Sequence, residues 1–247
     1  MLRLFLILLA LLSTCAQAQS VTVAVSANMK SAFEEIYQGF KQSHPESIRI
    51  VYGSSGNLAS QIRQGAPFNL LIAADESFPL RLHQEGLTLD EGVIYAIGHL
   101  VLVFRAEGST KLNGSPEQIA TLLKRANKIS IAKPELAPYG SAAVQYLKAR
   151  HLWELVKGKL VFGENISIAT MYVSSGAVDV GFTSLSLARS VEITKTTQYI
   201  NLDGENTLIS QRMVLTKGAP KAAVSLYEYL QSPAAKSILI KHGYSTP

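Results

Sequence analysis

Residues 21–40 read VTVAVSANMKSAFEEIYQGF, and this stretch decides the fold class. β-Branched valines alternate over 21–25, and from 29 onward the apolar residues follow the spacing of a helix. The change of period predicts a strand, a tight turn and a helix. The turn places Asn28 at the predicted N-cap, where its side chain and the first free backbone N–H groups point past the carboxyl end of the strand. Such a corner can hold an anion.

The same strand, turn and helix pattern recurs along the chain. Further strands are predicted at 47–53, 69–74, 95–104, 128–132, 159–162, 178–183, 197–202 and 209–216. Further helices are predicted at 57–64, 75–85, 116–125, 140–151, 167–175, 184–190, 221–230 and 233–241. Repeated units of this kind specify an α/β protein with largely parallel sheets.

The composition narrows the class of protein. The chain has 247 residues, of which 47% are hydrophobic and 17% charged, enough for one large domain or two small ones. Its net charge is +5, but the basic residues are scattered without interleaved aromatic residues, so we expect no nucleic acid binding. No heptad or long exposed apolar strand is evident, so a monomer is expected.

The N-terminal residues 1–18 predict a secretory signal peptide. Arg3 precedes an apolar run at 4–12, which is too short to span a bilayer, and Ala18 ends a small-residue cleavage motif. The mature protein is therefore expected in the periplasm. Cys15, the sole cysteine, offers lipidation as an alternative, but threonine before the cysteine is unusual at such a site, so cleavage after Ala18 is favoured.

Four turns between strands and helices are small or polar. They are Ala27-Asn28, Ser54-Ser55-Gly56, Tyr139-Gly140-Ser141 and Asn165-Ile166-Ser167. Ligands of open α/β sheets lie beyond the carboxyl ends of the strands, so a pair of corners from each half of the chain could close on one ligand. Each corner alone could be an ordinary cap, because Ser, Asn and Gly are preferred at caps. The four together favour a hinged clamp.

The chemistry of these corners indicates an oxyanion. Helix N-termini offer backbone donors and partial positive charge, while none of the four corners contains Arg or Lys. Neutral N–H and O–H donors favour an oxyanion that carries no proton, because the O–H group of a protonated oxyanion would face another hydrogen-bond donor. The corners therefore favour a fully ionised anion.

The sequence resembles the molybdate-binding periplasmic proteins of ABC transporters, which are type II periplasmic binding proteins. The matching stretches are VAVSANM, GSSGNLASQI, GAPFNLLIAAD, YAIGHLVLVF, KPELAPYGSAA, FGENI and VDVGFTSLS. The resemblance implies two α/β lobes of mainly parallel sheets flanked by helices, with a ligand cleft between them. It implies a tetrahedral oxyanion, molybdate or tungstate, held by hydrogen bonds alone, with no cofactor. A membrane permease of an ABC importer is the implied partner.

The resemblance also implies how the chain divides. We expect lobe I to contain 19–100 and 201–247, and lobe II to contain 101–200. No glycine- or serine-rich linker marks a boundary, so the chain is expected to pass between the lobes in two crossing strands that act as a hinge. The candidates for these strands are 95–104 and 197–202.

Carried over residue by residue, the resemblance implies five binding positions. Asn28 is the first, with a backbone donor from Ala27, and Ser55 is the serine of the second corner. Backbone N–H groups of Tyr139 and Ile166 are implied in the second lobe. These residues would hold molybdate.

Two further positions are implied less directly. Ser54 neighbours Ser55, and Ser184 stands where many members of the family place a tyrosine hydroxyl on the ligand. Serine is too short for that reach, so we expect the contact to be lost or to be replaced by Asn28 or water. The preference among oxyanions is therefore left open at this point.

A secreted enzyme is the rival of another class. Its candidate residues are His44, His83, His99, His151 and His242. No serine lies in a G-x-S-x-G elbow and no two histidines have metal-ligand spacing, so we predict that the protein is not an enzyme. Asp75 could act as a base, but its position after a strand favours capping of a helix.

Other ligands of the same fold remain alternatives. Phosphate carries a proton at neutral pH, so a phosphate site requires a hydrogen-bond acceptor, which only Asp75 could supply. Ferric ion would call for clustered tyrosines, whereas Tyr227 and Tyr229 fall in the closing helices. Sulfate matches molybdate in charge and shape and differs in size, so the sequence leaves it open.

Overall fold

The structure is a computed structural model that describes residues 21–105 and 114–247. The signal peptide and Cys15 predictions lie outside these residues. The strands are β1 Val21–Ser26, β2 Ile48–Gly53, β3 Leu70–Ile72, β4 Val93–Arg105, β5 Ile129–Ala132, β6 Leu160–Gly163, β7 Val180–Ser184, β8 Thr197–Asn201 and β9 Leu208–Leu215. The helices are α1 Lys30–Lys41, α2 Ser55–Arg63, α3 Ser77–Gln84, α4 Pro116–Arg125, α5 Pro138–Ala149, α6 Trp153–Val156, α7 Ile166–Ser174, α8 Leu185–Ala188, α9 Val191–Thr194, α10 Lys221–Tyr229 and α11 Pro233–Lys241.

The strands form one mixed sheet with flanking helices. Their order is β2-β1-β3-β9-β4-β7-β5-β6, and β8 also pairs with β4. The outer strands β2-β1-β3 and β7-β5-β6 are parallel, as the repeated strand and helix units predict. The pairs that involve β4 and β9 are antiparallel. The predicted α/β class is confirmed, with more antiparallel pairing in the middle than the pattern indicated.

The long strand β4 connects the two ends of the sheet. Its first part, from Val93 to His99, pairs with β9. Its last part, from Leu100 to Arg105, pairs with β7 and β8. A single strand therefore crosses the predicted lobe boundary at 100 and 101, and β8 spans the predicted return at 200 and 201. The lobe boundaries themselves remain a prediction.

The buried side chains form two main hydrophobic clusters. One joins β1 and α1 to the closing helices, with Phe33, Ile36 and Leu226 at its centre. The other joins β5, α5 and β7, and includes Ile131 and Phe182. Each cluster buries one side of the outer parallel strands beneath helices, which is how such sheets are normally covered. In the described ranges, no helix has both the length and the apolar character that a membrane crossing requires.

Three local differences from the sequence predictions affect the cleft. A 3-10 turn, Ala27–Met29, precedes α1, so Asn28 lies inside the turn. Its predicted N-cap role is wrong, because no side chain caps that end. Helix α2 begins at Ser55, two residues before the predicted start, because Ser54 adopts the extended cap conformation and accepts from the Asn57 N–H group.

The third difference follows β7. The predicted helix at 184–190 is shortened to α8, and the short helices α6 and α9 were not predicted. Ser184 caps α8, and Ser190 precedes α9 in the same extended conformation, so α8 ends before Ser190. Short helices of a single turn carry too few apolar residues for periodicity to reveal them.

Candidate functional site

A small cleft lies where the carboxyl ends of the strands meet the starts of three helices. Its cavity volume is about 10 Å³, so the two sides of the cleft stand close together. The residues that line it are Ser26, Ala27, Gly53, Ser54, Ser55, Ala74, Ala137, Pro138, Tyr139, Asn165 and Ile166. All four corners singled out in the sequence contribute to this set, although they are up to 139 residues apart in the chain (27 to 166).

The first side of the cleft presents serine hydroxyl groups. Ser55 is fully buried, and its Oγ accepts a hydrogen bond from the Ala74 N–H group at 2.9 Å. The Ser55 hydroxyl hydrogen points to the Ser26 Oγ at 3.4 Å, which is a long contact. That hydrogen can therefore turn to a better acceptor at little cost.

The second side presents backbone N–H groups. Pro138 is the first residue of α5 and has no N–H, so Tyr139 supplies the first donor of that helix. Ile166 is the first residue of α7, behind Asn165, whose Oδ1 caps the N–H of Ile168 at 3.1 Å. Donors in the first turn of a helix have no acceptor within that helix. Helices α2, α5 and α7 thus point donors and partial positive charge at one small volume.

The electrostatics of the cleft come from dipoles alone. Among its described lining residues there is no Asp, Glu, Lys, Arg or His, and the only titratable side chain is that of Tyr139. Burial raises the pKa of the Tyr139 phenol well above its usual range, so it is neutral. In the same described ranges no three His, Cys, Asp or Glu side chains are grouped to hold a metal ion. The arrangement can bind an anion but offers no ligands for a cation.

Hydrogen bonds join the two sides across the cleft. The Gly56 N–H donates to the Leu136 carbonyl at 2.9 Å, and the Ser167 hydroxyl donates to the Ala27 carbonyl at 3.1 Å. A Cβ atom on Gly56 would lie 2.9 Å from both the Cα and the carbonyl oxygen of Leu136. The close approach of the two sides therefore requires glycine at this position.

Asn28 is not among the cleft-lining residues. Its Nδ2 donates to Gln211 Oε1 at 3.0 Å and to Tyr244 Oη at 2.9 Å, which uses both of its hydrogens. Its Oδ1 accepts from the Ser26 hydroxyl at 2.6 Å. The Asn28 side chain is therefore engaged behind the cleft in this structure, and its replacement of the family's tyrosine stays a prediction.

Ser184 also lies away from the cleft lining. It is fully buried, its Oγ accepts from the Leu187 N–H at 3.2 Å, and it lies 3.1 Å from the Ser186 hydroxyl. These contacts describe a helix cap. Of the implied positions, the structure brings together Ala27, Ser54, Ser55, Tyr139 and Ile166.

Some residues of the cleft and its surroundings were missed in the sequence. Ser26 lines the cleft, and its only signal was a polar residue at the end of an apolar strand. Gln211 and Tyr244 hold Asn28, but they lie 183 and 216 residues away from it in the chain. No local pattern connects residues at such separations.

The residues proposed for a catalytic alternative do not meet at the cleft. None of the five histidines lines it. His44 stacks on Phe40 with ring centroids 4.1 Å apart, and His242 lies 2.8 Å from Glu35 on the surface.

The N-cap of α3 is Glu76 and no side chain caps that end, so the predicted cap role of Asp75 is wrong. Asp75 Oδ2 instead accepts from the Ser77 hydroxyl, and Asp75 Oδ1 is buried without a hydrogen-bond partner among the described residues. Burial raises the pKa of the Asp75 carboxyl, and its hydrogen bonds at the start of α3 oppose the rise.

Comparisons with known proteins agree with this geometry. Residues 21–245 match the model of the bacterial extracellular solute-binding protein family. The molybdate-binding protein ModA of Azotobacter vinelandii is 37% identical over 240 residues, which cover 95% of this chain and 93% of that protein. ModA of Rhodobacter capsulatus is 31% identical, with 94% and 90% covered. The solved structure of the Azotobacter vinelandii periplasmic molybdate-binding protein superposes with a TM-score of 0.82 at 26% identity, over 92% of this chain and all of that one.

Proposed function

The chain belongs to the bacterial extracellular solute-binding protein family, and we propose that it captures molybdate or tungstate for delivery to an ABC importer. It is a binding protein for a tetrahedral oxyanion, as two curated relatives that are 37% and 31% identical to it are named molybdate-binding proteins. The relatives are solute-binding proteins and not enzymes, and the bound anion is cargo, not a cofactor.

One observation carries this proposal. Three helix N-termini and the Ser55 hydroxyl converge on a small cleft whose described lining has no charged side chain. Each helix end carries about half an elementary positive charge, and its interaction with an anion strengthens when water is excluded. A dianion with four equivalent acceptor oxygens can take a donor from each direction without any proton of its own. Fully ionised tetrahedral oxyanions meet this description.

The donors we assign are the Ser55 hydroxyl and the backbone N–H groups of Ala27, Tyr139 and Ile166. Ser54 lines the cleft beside them, but its Oγ already caps the Asn57 N–H at 3.4 Å. Asn28 contributes through its backbone position next to Ala27, since its side chain is engaged elsewhere. Ser184 is left out of the set because it caps α8.

Selection among anions follows from the same donor set. Hydrogen phosphate carries a donor, and the described lining offers no carboxylate to accept it. Asp75, the only acceptor proposed from the sequence, does not line the cleft, and its Oδ2 accepts from the Ser77 hydroxyl. Sulfate has the charge and shape of molybdate but shorter bonds, so a cleft closed around molybdate leaves gaps around sulfate. We therefore expect tight binding of molybdate and tungstate and weak binding of sulfate.

The test is isothermal titration of the mature protein with molybdate, tungstate, sulfate and phosphate. We expect one molybdate or tungstate per chain, tight enough to give a sharp equivalence point, with much weaker heat for sulfate. Tight phosphate binding without molybdate heat would refute the proposed ligand while leaving the fold class unchanged. Tight sulfate binding with weak molybdate would favour the sulfate alternative.

We further propose that the chain works as a monomer of two lobes in the periplasm, divided at 19–100 with 201–247 and at 101–200. The first part of β4 pairs with β9 and its last part pairs with β7 and β8, which supports a hinge at the boundary between 100 and 101. The family description supports a location outside the cytoplasm. Mass spectrometry of the exported protein tests the N-terminus, because cleavage after Ala18 and lipidation at Cys15 give different masses.

A further inference from the structure

A buried polar network lies directly behind the cleft, centred on Gln211 of β9. Gln211 is fully buried. Its Oε1 accepts hydrogen bonds from Asn28 Nδ2 at 3.0 Å and from Tyr95 Oη at 2.9 Å, and its Nε2 donates to Tyr139 Oη at 3.0 Å. One side chain thus connects the turn after β1, the strand β4 and the helix α5.

The residues that Gln211 contacts belong to both sides of the cleft. Asn28 follows Ala27 in the first side, and Tyr139 carries the first N–H of α5 in the second side. Resting on the function proposed above, we propose that Gln211 is a positioning residue that sets where these two anion donors stand. It acts through Asn28 and Tyr139 and does not itself line the cleft.

The donor and acceptor pattern explains why an amide suits this position. The Oε1 atom receives two donors, while the Nε2 atom must find an acceptor, and the Tyr139 phenol oxygen provides it. A carboxylate has no donor for that oxygen, and an apolar side chain would leave the Asn28 amide and the Tyr95 hydroxyl without this partner. Gln211 is the group of its size that fits all three neighbours.

The backbone around the network is shaped to admit it. Gly98 of β4 lies where a Cβ atom would be 2.0 Å from Tyr139 Oη and 2.2 Å from Gln211 Nε2. Any side chain there would displace the hydrogen bond between α5 and β9. The glycine sits in the long strand that joins the two ends of the sheet, so the network lies at the predicted hinge.

Further contacts fix Asn28 from the opposite direction. Tyr244 Oη donates to the backbone carbonyl of Asn28 at 2.9 Å, and the Ser186 hydroxyl donates to the same backbone carbonyl at 2.7 Å. Burial raises the pKa of Tyr95, Tyr139 and Tyr244, so all three remain neutral. The nearest carboxylate that acts on Tyr95 is Asp75. The network is therefore uncharged, and it holds the turn rigidly without adding a charge that would repel an anion.

The consequence for binding follows from preorganisation. Donors held in place before the ligand arrives cost no ordering entropy when it binds, so loss of the frame lowers affinity even though no ligand contact is removed. Loss of Gln211 would also leave one buried Asn28 amide hydrogen unpaired, whereas the Tyr95 hydroxyl keeps the Ala73 carbonyl as an acceptor at 2.9 Å. The unpaired group relaxes the turn, and loss of the bond to Tyr139 relaxes the start of α5. A residue that only stabilised the fold would change the unfolding temperature and leave the affinity of the folded protein unchanged.

The experiment compares Gln211→Leu and Gln211→Glu with the wild type and with Gln61→Glu, a control that changes an exposed glutamine of α2. Molybdate is titrated calorimetrically at pH 6 and pH 8. We expect Gln211→Leu to raise Kd about tenfold or more at both pH values. We expect Gln211→Glu to bind more weakly at pH 8 than at pH 6, because the ionised carboxylate repels the anion and the protonated form restores a donor to Tyr139. Gln61→Glu should match the wild type.

Each alternative outcome has its own meaning. A lower unfolding temperature with wild-type Kd in both Gln211 variants would overturn the positioning role. If Gln211→Leu does not fold, Tyr139→Phe takes its place, since it removes only the phenol acceptor and keeps the backbone N–H; an unchanged Kd would then overturn the proposal. The wild-type titration against the four anions reports separately on the proposed function, and the ratio of variant to wild-type Kd is measured with whichever oxyanion binds.

Discussion

The two sides of the cleft offer donors of different kinds. The side built from β1 and α2 contributes serine hydroxyl groups, of which Ser55 is fully buried. The side built from α5 and α7 contributes backbone N–H groups, beside Pro138 and below the cap Asn165. A hydroxyl can rotate between acceptors, whereas a first-turn N–H is fixed by its helix.

This difference separates adaptation from preorganisation. The hydroxyl hydrogen of Ser55 makes only a 3.4 Å contact in the structure, so it can rotate toward an incoming oxygen. The backbone donors cannot adjust, and the shape of their side is set by how α5 and α7 pack. Side-chain substitutions therefore remove donors from the first side directly, while the donors of the second side change only through the backbone, the residues that position it or the approach of the two sides.

Ile166→Pro should have the largest effect, because it removes a backbone donor. Position 166 is the first of α7, where proline is tolerated, and Asn165 before it is extended (φ −140°, ψ 175°), as proline requires. We expect molybdate binding to weaken by about 3 kcal/mol, at the upper end for a hydrogen bond to a charged group, with the helix intact by circular dichroism. Ile166→Ala is the matched control, since it removes the side chain and keeps the N–H. Equal losses in both variants would show that packing, not the donor, matters at this position.

Ser55→Ala tests the first side and should have the next largest effect. It removes one donor to a buried anion, so we expect titration calorimetry to show binding weaker by ~1.5 to 3 kcal/mol. Ser60→Ala, on the same helix and outside the cleft lining, should bind like the wild type. No loss in Ser55→Ala would mean that the hydroxyl serves only the Ala74 N–H, and that the first side binds through its backbone as well.

Gly56→Ala tests the approach of the two sides. Its Cβ would meet the Leu136 backbone and the Phe78 ring, and the strain of such overpacking is about 1 to 3 kcal/mol. We expect weaker molybdate binding and a larger radius of gyration by X-ray scattering with the anion present. Gly158→Ala is the control, because nothing lies within 4 Å of a Cβ there. The double variant Gly56→Ala, Phe78→Leu removes the clash with the Phe78 ring, which lies in the first side. If this double variant binds molybdate like the wild type, the contact with the Leu136 backbone across the cleft does not limit binding.

Lys241→Ala should have the smallest effect, and only on stability. Lys241 Nζ lies 2.7 Å from Glu35 Oε1 on the surface between α1 and α11. Its hydrogen bond and that of His242 lower the pKa of the Glu35 carboxyl. A lowered pKa in the folded state stabilises the protein above the unfolded pKa, and that contribution disappears as pH falls through the folded value.

We therefore expect Lys241→Ala to lower the free energy of unfolding by a few tenths of a kcal/mol at neutral pH, because the pair is largely exposed. The difference from the wild type in urea unfolding should shrink as pH falls below the ordinary pKa of a glutamate and disappear once the folded carboxyl is protonated. Molybdate affinity should not change at neutral pH. A change in affinity would show that the surface between α1 and α11 is coupled to the cleft.

Much of the fold was predictable because its signals are local. Alternating valines in β1 and the helical spacing after them depend only on which face of each element is buried. Ser54 and Asn165 were typical cap residues, and α2 and α7 begin directly after them. Gly176 lies just past the end of α7 with φ of 79°, the left-handed conformation that makes glycine common at helix C-termini. The antiparallel centre of the sheet was not predictable in this way, because pairing of β4 with β9 joins segments that lie more than a hundred residues apart.

Asn28 shows where reasoning from the sequence failed. Its position after a strand and before a helix is typical of a cap, and an exposed cap would face a ligand. The structure turns its side chain inward because Gln211 and Tyr244 provide buried partners from distant parts of the chain. Ser184, which the sequence analysis expected to be too short for the family's tyrosine contact, caps α8.

The sequence by itself determined the α/β class, the four corners and the absence of charged groups from them, because each depends on residue type and local spacing. The tertiary structure decided which donors share the cleft, that Asn28 faces the network and not the ligand, and that Gly56 must be a glycine. These facts depend on the distances between segments far apart in the chain, which packing of the whole molecule fixes and no local period records.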